Sequence, residues 1–272
     1  MNKFIFALLI CFLSSCSHMN RNSQYFSAPY PPAHSPAYYS PAYSPIAFAI
    51  SSGDTSRVKS LIEHGSSVNQ RIENGLTPLI LAAQKGKLEI VKLLIHKGAY
   101  VNQTSNDGAT ALFVAAEKGY LMIVKLLIDK GANIYQVNKD GASALFISAQ
   151  KGNLEIVKLL TQKGANINQA SKTGESPLYI AASKGNTDVV RFLLRKGANV
   201  NQATYDGATP LYVAAHNGHI EMIKALLATP WINVNYAFKN KTTPLKIAKQ
   251  KGYKTIVKLL EQADAIEGKY RY

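Results

Sequence analysis

Cysteine is nearly missing from this 272-residue chain, whose only two, Cys11 and Cys16, lie close to the start. No disulfide framework can therefore brace the rest, and a thiol-free body survives equally in an oxidising compartment and in a cytosol. Acidic residues are scarce as well: 31 Lys and Arg stand against 16 Asp and Glu, a balance of +15. Such a surplus suits acidic partners, anionic surfaces or nucleic acid and says nothing about fold. Long apolar runs are missing too. The run from Phe4 to Leu13 rises about 15 Å as a helix, roughly half a bilayer core, so it cannot span comfortably. Chemistry-bearing patterns are absent: there is no His-Glu-x-x-His, no phosphate-cradling glycine loop and no zinc spacing. His216 and His219 share one turn without a third ligand. No catalytic residue, metal or cofactor is expected, and no groove-reading motif points to nucleic acid.

What is present begins with "MNKFIFALLICFLSSCS". One cation, Lys3, precedes an apolar run with the length of a signal-peptide h-region. Leu13-Ser14-Ser15-Cys16 follows, and it resembles the lipobox of bacterial lipoproteins. Small side chains admit the peptidase to the backbone, and a thiol can carry a diacylglyceryl thioether. The resemblance implies removal of residues 1–15, lipidation at Cys16, and anchorage by two or three acyl chains, where one would bind only marginally. Ser17 in place of Asp points to the outer membrane by resemblance to enterobacterial sorting. Cleavage near Ser15 or Ser17 to give a secreted protein, or an uncleaved anchor, are the alternatives.

Residues 16–45 read as a tether. Pro29, Pro31, Pro32, Pro36, Pro41 and Pro45 alternate with Tyr25, Tyr30, Tyr38, Tyr39 and Tyr43, and Ser-Pro-Ala-Tyr recurs. Proline removes donors and fixes φ, which excludes a helix or a central strand and favours an extended chain of at most ~90 Å. Such a segment serves as a stalk or presents its tyrosines as docking groups.

From residue 46 the chain repeats itself. "TPLILAAQKGK" at Thr77 returns as "TALFVAAEKGY", "SALFISAQKGN", "SPLYIAASKGN" and "TPLYVAAHNGH", each start 33 residues after the last. In one unit Thr77 caps a helix, Pro78 suits its first turn, and Ala82 and Ala83 let a neighbour approach. Leu88 to Ile95 builds a second, more apolar helix. Neither helix can bury its apolar side alone, so the period marks a solenoid. Ile-Val-Lys-Leu-Leu, Gly-Ala-Asn-Val-Asn and Ala-Ala-x-x-Gly together resemble ankyrin repeats over about four fifths of the chain. The resemblance implies an all-α solenoid of seven helix–turn–helix units with short hairpin-like loops. It gives an N-terminal capping unit at 46–70, which lacks the Thr-Pro start, five central units at 71–241, a C-terminal capping unit at 242–266 and a tail at 267–272. In the sixth unit Pro230-Trp231 replaces the glycine turn, and Trp231 reads as a plug in that turn or as a partner contact.

The family binds proteins through its tips and concave face, so this resemblance implies a monomeric, non-catalytic module for a protein or peptide, with charge that suits an acidic one. Candidate contacts lie where the copies differ. The position after Thr-Pro-Leu, usually His in the family, reads Ile80, Phe113, Phe146, Tyr179, Tyr212 and Lys246, an aromatic ladder that is either inter-repeat packing or a gripping strip. Tyr205 and Phe238 are aromatics in neighbouring tips. Lys85, Lys118, Lys151 and Lys184 form a basic row at the ends of inner helices, where they also offset the helix dipole. A structural envelope spacer and a host-directed factor of an intracellular bacterium are the rival readings. Incubation with a clickable fatty acid is expected to label the chain and to leave the Cys16→Ser variant unlabelled; label on the variant would remove the lipid anchor.

Overall fold

The computed structural model describes residues 44–264, apart from the side chain of Asn240. The expected leader, Cys16, most of the tether and the tail lie outside the described residues. Within them fourteen helices alternate inner and outer, two to a unit. The pairs are α1 (Pro45–Ser52) with α2 (Thr55–Glu63), α3 (Pro78–Gln84) with α4 (Leu88–His96), and α5 (Ala111–Lys118) with α6 (Leu121–Asp129). Then come α7 (Ala144–Lys151) with α8 (Leu154–Gln162), and α9 (Pro177–Lys184) with α10 (Thr187–Arg195). The last two are α11 (Pro210–Asn217) with α12 (Ile220–Leu227), and α13 (Pro244–Gln250) with α14 (Lys254–Gln262). Inner helices pack on inner helices of adjacent units, and outer on outer.

Each inner helix starts from the same device. The hydroxyls of Thr77, Thr110, Ser143, Ser176, Thr209 and Thr243 accept from the amide three residues on, at 3.1–3.2 Å. A cap of this kind is worth about 1 kcal/mol. The first unit proves to carry it as well. Ser44 accepts from the Ala47 amide and Pro45 is the first helical residue. Pro45 therefore belongs to α1 rather than to the tether, because the first turn is the one helical place proline suits. The expected lack of a Thr-Pro start is corrected: Ser44 lies one full period before Thr77, hidden at the end of a stretch where Ser-Pro recurs for another reason.

The core is a strip shared between units. Ala82, Ala83, Ala115, Ala116, Ala181, Ala182, Ala214 and Ala215 are fully buried where inner helices approach. Ile90, Val91 and Leu94 in α4, and their counterparts Ile123, Val124 and Leu127 in α6, fill the space between inner and outer layers. No strand forms among the described residues; the connections are turns. Each is closed by one backbone bond, as from the Ser105 amide to the Ala109 carbonyl (2.9 Å), and two carry an isolated β-bridge, Val137 with Ser143 and Phe238 with Thr242.

Three ladders join successive units. At the tips, the amides of Asn106, Lys139, Lys172 and Tyr205 donate to the carbonyls of Asn74, Asp107, Asp140 and Thr173 at 2.8–3.1 Å. The approach is close enough that a Cβ on Gly174 would lie 2.6 Å from the Tyr205 nitrogen, so glycine is required there. Asp107 and Asp140 act through their backbone, as turn residues. At the inner helix ends, Asn153 and Asn186 donate from Nδ2 to Ala116 and Ala149 of the preceding unit, each at 2.8 Å. At the outer helix ends, Asn102 accepts from the Asn133 amide (2.7 Å) and donates to Gly131 (3.0 Å). Asn69 and Asn201 bridge their own joints in the same way.

Two positions depart from this last ladder. Trp231 takes the place of a glycine, at φ +64, and its carbonyl still receives the Asn201 amide group at 2.7 Å. Its ring is 92% exposed, which overturns the plug. The cause is visible at the equivalent Gly98, Gly131 and Gly197, where an added Cβ meets nothing within 4 Å: a side chain at this site points into solvent. The other departure is Tyr135, exposed, in the position Asn102 occupies one unit earlier, so the joint between the third and fourth units lacks its side-chain bridge. Restoring two hydrogen bonds at about 1 kcal/mol each, Tyr135→Asn is expected to raise the urea midpoint, while Asn102→Ala lowers it, through a loss of about 1–3 kcal/mol in unfolding free energy. Equal midpoints for Tyr135→Asn and the parent would show that this joint is already satisfied.

Candidate functional site

The inner helices turn one face toward the tips, and the trough between them runs along the units. Its floor is an aliphatic row, Leu81, Val114, Ile147, Ile180, Val213 and Ile247, each 5–8% exposed. These residues are one turn past the helix caps, so they are held by backbone on both sides and show solvent only a narrow edge. Gln84, Gln150, Ser183 and His216 lie a further turn along and are half-buried. Two clefts of about 350 Å3 open in the trough. The first lies over Phe48, Leu76 and Leu81 with Glu73 on the tip side and Lys85 on the other. The second lies over Phe113, Phe146 and Ile147 with Asp140, Lys172 and Glu175 above them.

The aromatic ladder is present but not uniform. Ile80 and Phe146 are core residues, at 1% and 6% exposure, whereas Phe113, Tyr179 and Tyr212 are half-buried. Packing and display are thus divided along one row. Each ring stands just inside a capped helix start. Tyr212 stacks on Phe238 with centroids 4.9 Å apart and an interplanar angle of 26°, and His216 follows at 6.4 Å. Phe238 therefore joins the ladder, while Tyr205 projects freely at 79% exposure. No protein acceptor or donor meets the Tyr179 or Tyr212 hydroxyl among the described residues, so both are available to water or to a polar group.

The basic row lies elsewhere on the same helices. Lys85, Lys118, Lys151 and Lys184 are exposed at the inner helix ends, more than a turn from the rings and on the trough's far rim. Lys151 meets Glu117 at 3.5 Å. Along the outer helices, Lys92, Lys158 and Lys224 bind Glu89, Glu155 and Glu221 at 2.7 Å, three residues apart, and serve the scaffold. His219 packs its Nε2 3.3 Å from the Ser183 carbonyl, and His216 stands beside Asn217.

Phe48 was not apparent from the sequence. It stands one period before Leu81, so it is the floor residue of the first unit, and it is 45% exposed. The register of Ser44-Pro45 would have found it.

Burial, then the carboxylate of Glu175, the Tyr212 hydroxyl and the carboxylate of Asp206, push the Tyr179 phenol up to about 12. Burial alone raises Tyr212. A phenol whose pKa rises on folding favours the folded state up to its unfolded pKa near 10, and that contribution fades as pH climbs toward 12. Phenolate absorbance is expected to show a last-titrating tyrosine, absent from Tyr179→Phe, and stability that falls less steeply above pH 10 in that variant. A parent chain whose tyrosines all titrate near pH 10 would place Tyr179 in open water.

No characterised protein sequence matches the chain significantly. Among solved structures, the crystal structure of the human ASB11 ankyrin repeat domain superposes with a TM-score of 0.74 at 28% identity, over 81% of this chain and 98% of that one. The family model for ankyrin repeats matches three times, over residues 46–138, 132–204 and 200–267. With the fourteen helices in capped pairs and the trough they form, these matches make the chain a member of the ankyrin repeat family.

Proposed function

We propose that this chain is a non-catalytic module that holds a protein or peptide in its trough, displayed on a bacterial envelope by lipid at Cys16 and set off from it by the Pro/Tyr segment. Ankyrin repeats are interaction scaffolds, which supports the first part. The lipobox-like Leu-Ser-Ser-Cys after a short apolar run supports the second.

The observation that carries the reading is the trough itself: two clefts, each edged by charge, and past the second of them the rings of Tyr179 and Tyr212, whose hydroxyls have no partner within the described protein. A half-buried phenol without a protein partner leaves a hydroxyl for a polar group of the bound segment or for water. A segment lying lengthwise would place apolar side chains over Leu81 and Ile147, two units apart and so about 20 Å at the usual helix spacing. That is roughly six residues of extended chain. Tyr205, at the tip beyond Tyr179, then stands as an aromatic anchor at the rim.

Affinity purification with the full chain is expected to return one saturable partner. Tyr205→Ala with Tyr212→Ala is expected to weaken that binding at least about tenfold, the usual cost of losing an aromatic anchor, with a melting temperature within a few degrees of the parent. Undiminished binding by the double variant would move the contact out of the trough.

A further inference from the structure

The rim opposite the tips is predominantly basic. Every inner helix starts on the tip side and ends at this rim, where the chain turns into its outer helix. Lys85, Lys118, Lys151, Lys184 and Lys251 stand there one to a unit, all exposed, with Asn217 as the single gap in that run. Lys87 lies beside the first of them, with its ammonium over Gly53. Among the described residues only Lys151 of this set meets a carboxylate, Glu117. Of the acids near the rim, Glu89, Glu155 and Glu221 are each held by a lysine further along their own outer helix, while Asp54 caps α2 and Asp188 lies in the first turn of α10. The tips differ: there Glu73, Asp107, Asp140 and Asp206 alternate with Arg71, Lys139, Lys172 and Lys239, and Asp206 pairs with Lys239.

Compensation of helix dipoles accounts for one lysine at a helix end. It does not account for what lies between them. Tyr120, Met122 and Ile220, at the starts of α6 and α12, are 37%, 60% and 38% exposed on the same rim. The Tyr120 ring lies flat against Gly86, between Lys85 and Lys118 in the stack. Lysines spaced along a line with apolar side chains between them suit the headgroup layer of an anionic bilayer, where ammonium groups meet phosphate and the apolar groups reach the acyl boundary. From Lys85 to Lys251 the row spans about 50 Å at the usual helix spacing. An acidic protein would have to match that spacing along its whole length; a fluid lipid surface matches any spacing.

We infer that this lysine rim seats the solenoid on an anionic lipid surface, with the tips directed away from it. The inference does not depend on an acyl chain at Cys16 or on a partner in the trough.

The full chain carrying Cys16→Ser, which cannot take a lipid there, is mixed with phosphatidylcholine vesicles made with or without phosphatidylglycerol, and partitioning is read by co-sedimentation. Binding is expected only with phosphatidylglycerol. In that background Lys85→Gln, Lys118→Gln, Lys184→Gln and Lys251→Gln together are expected to lower partitioning on the order of several hundredfold, since one lysine near such a surface is worth about fivefold. Removing the same charge at the outer helix ends, with Lys97→Gln, Lys130→Gln, Lys163→Gln and Lys196→Gln, is expected to cost less than about tenfold. Circular dichroism and melting checks that both variants fold as the parent does. No binding to the anionic vesicles, or equal losses in the two variants, overturns the inference. So does rim-dependent binding to polyglutamate with vesicle binding unchanged, which would give the rim to an acidic protein.

Discussion

The structure depends on one constraint: no helix pair in this chain can bury its own apolar side. α5 packs on the inner helices α3 and α7 of the adjacent units at least as closely as on its own α6, and Ile123 and Val124 are buried with units on either side. Everything regular about the protein follows. Small residues must recur where backbones approach, a hydroxyl must recur where a helix begins under cover, and the bridging asparagines must recur where one unit ends on the next. Cooperativity then comes from joints rather than from a central core. Among the described residues, the first and last units each pack on a neighbouring unit from one side only.

Much of this was legible from the chain alone, for a physical reason. A period of 33 residues is set by backbone geometry, and backbone geometry admits few residue types at caps, stops and close approaches. Thr77, Gly86 and Ala82 could thus be placed before any coordinates. The start of the first unit could not, since Ser44-Pro45 reads as one more Ser-Pro of the preceding segment. Its role emerges only when Ser44 is seen accepting from Ala47. Trp231 misled for the opposite reason. A large ring invites burial, but the backbone at that site is left-handed and open to solvent, and position prevailed over hydrophobicity.

The candidate site was legible as a row and not as a surface. Sequence spacing puts Phe113, Phe146, Tyr179 and Tyr212 at equivalent places, yet exposure varies along them because the next tip differs from unit to unit. Phe238 covers one face of Tyr212, while Tyr205 leaves its own neighbourhood open. The charged residues separate by the same logic. Mixed sign at the tips and a mostly basic far rim depend on which end of an inner helix a residue occupies, which periodicity records only once the helices have a direction.

Tyr135 in place of asparagine has a consequence for mechanics. The stack has one seam where backbone contacts and core remain but the outer stitch is missing, and the second cleft, with Phe113 on one side and Phe146 and Ile147 on the other, straddles that seam. The joint with the fewest bonds is where the trough bends most readily, so one of its two equal clefts is also the more adjustable, like a jaw hinged beneath its own bite.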